Sequence, residues 1–471
     1  MRVHAASVPR ISTAAAALML VMASASCAFA APSVVWTWDR GPAWVRDFPR
    51  PRDESHADSI RALSGWPGLA GGSPEFALHA SQIDDADEAP WRDHEGDPVP
   101  RGAHATIEAG GTARAGSWAE LALRPRAGVS GDALAVTWLE ARLSLRAGAA
   151  RLDAGRTRLW LSPARHGSLL LSNNAHPLDL VHLSIGGRTT NSIPILSLLR
   201  AVRGGAAVAW LDDDAREFPD PNLGALYVRT QWSSWLEISL QRTMLFAGEG
   251  HEFDWGDLGD IIFAGGGENS LDPDENLSDQ IASIAFTARL DRLLGSWGEA
   301  LRDADGGVLG FYEYAGDDNL RDWLPRNPGV AGGLTVWRGG WEFHGELAQN
   351  RNKNARWYSH SVYTSGYTYR GVILGHHMGW DAYDLAFSLA APAGGDDRRV
   401  RAFVERKAAL YSEREDPAAE WTVALSAENL WRRDRFALSA DLITRWGDSW
   451  PADRLGAIET KRASLRWSWM L

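Results

Sequence analysis

From about His104 onward, apolar and polar residues exchange places one by one over run after run, with Gly, Asp, Asn and Pro punctuating the runs. Leu139, Ala141, Leu143 and Leu145 stand against Glu140, Arg142, Ser144 and Arg146. Trp341, Phe343 and Leu347 oppose Glu342, His344 and Glu346, and Tyr383, Leu385, Phe387 and Leu389 oppose Asp384 and Ser388. Val400, Ala402 and Val404 oppose Arg399, Arg401 and Glu405, and Trp421, Val423, Leu425 and Ala427 oppose Thr422, Ser426 and Glu428. A period of two marks a β-strand, whose successive side chains point to opposite faces. One apolar and one charged face, repeated this often, is what a wall between lipid and a wet lumen requires. A soluble sandwich also alternates, but its polar face points outward and its strands are shorter. The last residues favour the barrel: Leu465, Trp467, Trp469 and Leu471 alternate with Ser464, Arg466, Ser468 and Met470. With strands of ~10 residues and about 20 per strand including its connection, the pattern predicts an all-β, antiparallel transmembrane barrel of about 16 to 18 strands.

The first hundred residues follow other rules. Arg2, His4 and Arg10 precede an apolar run from Ile11 to Met22, and Ala28-Phe29-Ala30 offers small residues for cleavage, so residues 1–30 read as an export signal. Cleavage after Ala30 removes Cys27, the one cysteine, and leaves no disulfide or thiolate. Residues 31–103 are irregular, broken by Gly41-Pro42 and Pro49-Arg50-Pro51, with one predicted helix from Asp53 to Leu63. Residues 104–471 form the barrel in this division.

Composition sharpens the picture at three points. No later run approaches 18 apolar residues, which excludes a membrane helix but not a barrel. The 24 tryptophans suit the girdles where indoles gather at membrane interfaces, although a Trp-rich soluble carbohydrate enzyme would match the count as well. The formal charge of -12 excludes nucleic acid as a partner, since that needs a basic footprint.

One stretch departs from simple alternation. From Leu159 to Ile185 the residues predict a strand over Gly167–Ser172, a polar turn at Ser172-Asn173-Asn174, and a second strand with Val181, Leu183 and Ile185 opposite His182 and Ser184. Trp160, Pro163, Gly167-Ser168-Leu169 and Ser172-Asn173-Asn174-Ala175-His176-Pro177 resemble the signature segment of the capsule assembly Wzi family. Leu161 and Ser162 depart from it, standing where the family usually has a second Trp and a Gly. The resemblance continues through Arg242-Thr243, Gly248-Glu249-Gly250, Glu313-Tyr314-Ala315, the run Tyr363 to Gly371, and Gly375-His376. It implies eighteen strands, a small, partly helical N-terminal segment on the periplasmic side, and an outer-membrane location in a Gram-negative bacterium. It also implies a non-enzymatic, lectin-like role in holding capsular or exopolysaccharide at the cell surface, with membrane lipid, lipopolysaccharide and the barrel-assembly machinery as further partners.

The residues on offer for chemistry fit that expectation and two others. Sugars present flat apolar faces edged with hydroxyls, so aromatic platforms beside polar groups suit them. Tyr363, Tyr367, Tyr369, Arg370, Trp380 and Asp381 offer that mixture, as do His251 and Trp255. Interfacial or lumen packing would use the same aromatics. Charged residues such as Arg142, Arg146, Arg399, Arg401, Glu342 and Glu346 either pair across the lumen or select solutes in a porin. An outer-membrane hydrolase would need a Ser or Thr beside one of His182, His251, His344, His360, His376 or His377, and no catalytic motif such as Gly-x-Ser-x-Gly surrounds any of them. The acidic runs Asp212-Asp213-Asp214 and Asp272 to Glu275 lack the Gly turn of a calcium loop. His376 and His377, read as neighbours on a strand, point to opposite faces, so no metal site and no cofactor are expected.

Overall fold

The computed structural model describes residues 35–37, 75–84, 102–115, 118–130, 133–188, 199, 201–251, 278–303, 306–317, 328–350, 357–392, 399–409, 419–433, 436–448 and 457–470. The expected signal, the helix at 53–63, Trp255 and the acidic run at 272–275 lie outside them. The wall begins with β1 (Glu75–Asp84), β2 (Gly102–Ala115), β3 (Ala119–Ser130), β4 (Ala133–Ala147), β5 (Ala150–Thr157) and β6 (Leu178–Arg188). It continues with β7 (Ala201–Trp210), β8 (Asn222–Gln231), β9 (Leu236–Phe246), β10 (Ser278–Arg289), β11 (Gly307–Asp317) and β12 (Gly329–Arg338). It ends with β13 (Trp341–Gln349), β14 (Ala382–Pro392), β15 (Arg399–Ala409), β16 (Ala419–Arg433), β17 (Phe436–Asp448) and β18 (Ala457–Met470).

Each strand pairs antiparallel with its successor, and β18 returns to β1 in a register running from Met470 opposite Glu75 to Lys461 opposite Asp84. The eighteen strands therefore close into a ring without edges, the form in which a sheet can satisfy its backbone inside lipid. A nineteenth strand, Val35–Thr37, lies against β2. Because β1 belongs to the ring, the barrel starts earlier than the boundary at residue 104 expected from the alternation.

The faces are inverted relative to a soluble protein. Leu183, Ile185, Leu240, Phe343, Leu347 and Leu389 are exposed, while Arg142, Glu342, His344, Glu346, Asp384 and Glu405 are buried. Exposed and buried positions alternate along β13, with Gly345 alone intermediate on the outer face. Exposed tryptophans sit at both rims: Trp118, Trp232 and Trp341 at the end with short turns, Trp210, Trp421 and Trp446 at the other. That is the girdle pattern of a membrane-spanning barrel.

Charges on the inner face are paired across strands. Arg142 on β4 meets Glu120 on β3 at 3.2 Å and Asp153 on β5 at 3.1 Å. Burying these groups would be costly singly, and the triad offsets that cost by sharing. Leu139 is a correction to the expected alternation: the β3–β4 register skips it between Arg124–Glu140 and Pro125–Trp138, so it is the extra residue of a bulge and is buried. Trp138 and Val136 take the exposed face in its place. Pro125, which has no N–H to give the ladder, sits at this irregularity.

The ring has two unlike ends. At one, turns such as 148–149 and 339–340 are two residues long, and β10 and β11 are joined through a 3-10 turn, Leu290–Arg292, and the helix α1, Gly295–Asp303. At the other, 158–177 and 350–381 are long connections between β5 and β6 and between β13 and β14. Both carry much of the buried apolar cluster of the molecule.

Candidate functional site

The first of these connections turns into the lumen rather than away from it. The expected strand at Gly167–Ser172 does not form: only an isolated bridge joins Leu161 to Leu171, and irregular backbone lies between. Its apolar run, Leu169-Leu170-Leu171, has no period to place on a sheet and is wholly buried in the plug core instead. The second predicted strand forms as β6, with Val181, Leu183 and Ile185 exposed and His182 and Ser184 buried.

The residues of the family-like motif hold this insert in shape and dock it. Trp160 Nε1–H donates to the carbonyl of Ala164 (3.1 Å). Ser168 Oγ donates to the carbonyl of Leu161 (2.8 Å) and accepts from the amides of Leu170 and Leu171 (3.2 Å each). Pro163 is half-buried at the bend between Ser162 and Ala164, and Pro177 is buried just before β6. Ser172 Oγ donates to the carbonyl of Gly375 (2.6 Å), Asn174 Nδ2 donates to that of Ile373 (2.9 Å), and the amide of Ser172 donates to Leu374 (2.9 Å). Asn173 lies between these two docking residues, and His176 packs edge-on against the Tyr369 ring at 5.9 Å. Gly167 makes room for His376, whose Nε2 would lie 2.4 Å from a Cβ added there.

The insert crosses the barrel. It leaves between β5 and β6, yet Ser162 bonds to Glu313 on β11, and the amides of Arg165 and His166 donate to Glu346 on β13 (3.0 and 3.2 Å). Arg165 also pairs with Glu342 at 3.5 Å. In a ring of eighteen these partners lie on the opposite wall.

The second insert, described over 357–381, packs on top of the first. Tyr358 Oη donates to the carbonyl of Leu169 (2.8 Å) and accepts from the amide of His376 (3.0 Å), while burial pushes its phenol well above the usual range and keeps it protonated. Tyr363, Tyr367 and Tyr369 are fully buried among neighbours: Tyr363 against Phe218 and His251, Tyr367 stacked on Tyr358 at 6.0 Å. A ring covered on both faces offers nothing to a sugar, so these three and the buried His251 act as packing in this structure. Arg370 is exposed, held by Asp212 (3.1 Å) with its ring neighbour Tyr369 below, and its amide donates to Asp213 (2.7 Å). Trp380 and Asp381 are partly exposed. The 211–221 connection clamps the insert through Arg216, which donates to the carbonyls of Thr368 (2.6 Å) and Gly366 (2.8 Å).

Where the two inserts meet the wall, four side chains converge. His166 Nε2 lies 3.0 Å from Glu405 Oε1 and 3.1 Å from Asp384 Oδ2. His377 Nε2 lies 2.7 Å and 2.9 Å from the same two oxygens. His376 and His377 are not on a strand; their rings stack at 4.6 Å, and His376 Nδ1 is 3.9 Å from Asp384, so the pair stays on one side. Burial, with His377 beside it, lowers His376 to about 3 and keeps it neutral. Nothing in the chain pattern announces this cluster, because His166, Asp384 and Glu405 come from three elements with no shared motif.

A second constellation bears on the hydrolase expectation. Thr335 Oγ1 lies 3.0 Å from His344 Nδ1, and His344 Nε2 lies 3.2 Å from Glu346 Oε2. That is the chain a nucleophile needs. Glu346 Oε2 is also engaged by the first insert, and Thr335 is only 3% exposed.

The family model for the capsule assembly protein Wzi matches residues 81–391. A solved structure of Wzi from Escherichia coli, described as an outer membrane protein involved in group 1 capsule assembly and a carbohydrate-binding β-barrel, superposes with a TM-score of 0.64. It is 15% identical and the likeness covers 84% of each chain. OpdQ of Pseudomonas aeruginosa gives a TM-score of 0.49 at 10% identity, over 85% of this chain and 97% of that one. OccAB4 of Acinetobacter baumannii gives 0.49 at 9% identity, again over 85% and 97%. No curated protein matches by sequence.

Proposed function

The chain belongs to the capsule assembly Wzi family, and from that premise we propose that it is an outer-membrane, lectin-like barrel of a Gram-negative bacterium that holds capsular or exopolysaccharide at the cell surface. The observation that carries the reading is the lumen crossed from wall to wall by the first insert and covered by the second. An eighteen-strand wall left empty would leave an aqueous channel. Here its long-connection end is filled with a packed core, so the remaining working surface is the outer face of that plug. Long connections mark the extracellular end of such barrels. Ser361, Thr364, Ser365, Arg370, Asp212 and Asp214 are exposed there, a set of hydroxyls, carboxylates and one guanidinium suited to sugar hydroxyls. Arg370, Trp380 and Asp381 are the residues of the original candidate set that remain open to such contact.

Binding rather than turnover is the reading that the burial of Thr335 supports, since a buried hydroxyl is poorly placed to attack a glycosidic or ester bond. Lipid on the exposed apolar wall, lipopolysaccharide at its rim and the assembly machinery during insertion complete the partners. The test is a deletion strain. Attached polysaccharide should fall and shed polysaccharide rise at unchanged total synthesis, and the wild-type gene should restore attachment. Normal attachment in the deletion strain would overturn the reading.

A further inference from the structure

We propose that His166, His377, Asp384 and Glu405 form a buried site for one divalent transition-metal ion, zinc by its donor set, which ties both inserts to the barrel wall. The four donor atoms, two imidazole nitrogens and two carboxylate oxygens, lie within 4.8 Å of one another. Nitrogen–oxygen separations of 2.7 to 3.1 Å approach the ~3.3 Å edge of a tetrahedron built on zinc–ligand bonds of about 2.0 Å. Mixed nitrogen and oxygen donors suit zinc and its first-row neighbours, whereas calcium and magnesium take oxygen alone.

The independent observation is Asp384. Its side chain is buried, yet neither carboxylate oxygen accepts a hydrogen bond among the described residues. Both imidazole Nε2 atoms are directed at one oxygen, Oε1 of Glu405, and stand near Asp384 Oδ2 at ion-pair distance without hydrogen-bond angles. Protons on the two imidazoles reach Asp384 only as ion pairs and leave its oxygens without an aligned donor, which is costly in a buried place. An ion among the four atoms uses a lone pair from each of them.

Each donor comes from a different element: His166 from the first insert, His377 from the second, Asp384 from β14 and Glu405 from β15. One ion therefore ties both inserts to two neighbouring strands of the wall. The support around it is built, since the amide of His166 is anchored on Glu346 (3.2 Å) and His376 stacks on His377. Such surrounding bonds fix ligand orientation.

The experiment uses the full-length protein without a polyhistidine tag, extracted from membranes in chelator-free buffer, with metal measured by mass spectrometry. About one equivalent of zinc per chain is expected, falling at least about tenfold in H377N and E405Q. Protein refolded in zinc should melt higher than protein refolded in metal-free buffer, and cobalt in its place should show the visible absorption of a tetrahedral ion. Heat-modifiable gel migration identifies folded variants. Wild type that takes up no zinc on refolding and melts identically with and without it overturns the proposal, whether or not the variants fold. So does zinc retained at the wild-type level in folded H377N and E405Q.

Discussion

Gly167 and His376 lie 209 positions apart in the chain and occupy one space in the fold. A Cβ at Gly167 would meet three atoms of the His376 ring at 2.4, 2.5 and 2.8 Å. The ring cannot easily yield, because it is stacked on His377 and its Nδ1 accepts from the amide of Met378 (3.2 Å). Gly167→Ala is therefore expected to destabilise the barrel by about 1–3 kcal/mol, the range for overpacking, read as a lower temperature of heat-modified gel migration. Adding His376→Ala should recover part of that loss, a non-additivity reserved for residues in contact; strict additivity would refute the contact. Both residues were visible in the sequence through the family-like motif, but their meeting was not. Alternation reports which face of a strand a residue takes, and neither residue is on a strand. The same blindness made the buried tyrosines at 363, 367 and 369 look like sugar platforms: composition cannot tell a covered ring from an open one.

At the scale of elements, the wall was legible because lipid imposes a rule with period two along a strand. Every apolar position quoted for β13 and every one for β14 beyond Tyr383 and Leu385 is exposed, and every polar one is buried. The pattern failed where the chain itself broke register, at Leu139 beside Pro125, since a bulge sets its extra residue on the other face. The two inserts were illegible for the opposite reason, as irregular backbone buried in a lumen obeys local hydrogen bonds and no repeat. A test separates the two regimes on one strand. Leu183, in the middle of β6, is exposed toward lipid, and its neighbour Ser184 faces inward. Leu183→Arg should lower stability in lipid by about 2–4 kcal/mol, the cost of a cation near the midplane of a barrel's outer face. Unfolding in bilayers is the measurement, because the cost arises only where the side chain meets lipid. An equal tolerance of Arg at 183 and of Leu there would mean that β6 does not face lipid.

Across the whole molecule, ring and plug divide the work. Eighteen strands supply a rigid frame, and the first insert spans it from the β5–β6 side to β11, β13, β14 and β15. Conductance follows directly from this division. Reconstituted in planar bilayers, the intact protein should pass little steady current. Replacing residues 160–175 with a short Gly-Ser linker removes Trp160, the Ser168 turn and the anchors on Glu313 and Glu346, while the ends at Thr157 and Leu178 stay paired in the wall. That variant, once shown to be folded by its gel migration, should open to the large, stable conductance of a wide barrel. If it attaches polysaccharide as well as the intact protein does, the outer face of the second insert suffices for holding the polymer. If attachment is lost as the pore opens, the first insert is what presents that face. A large steady current through the intact protein would instead show that the inserts leave a continuous path, and the platform reading would give way to a channel.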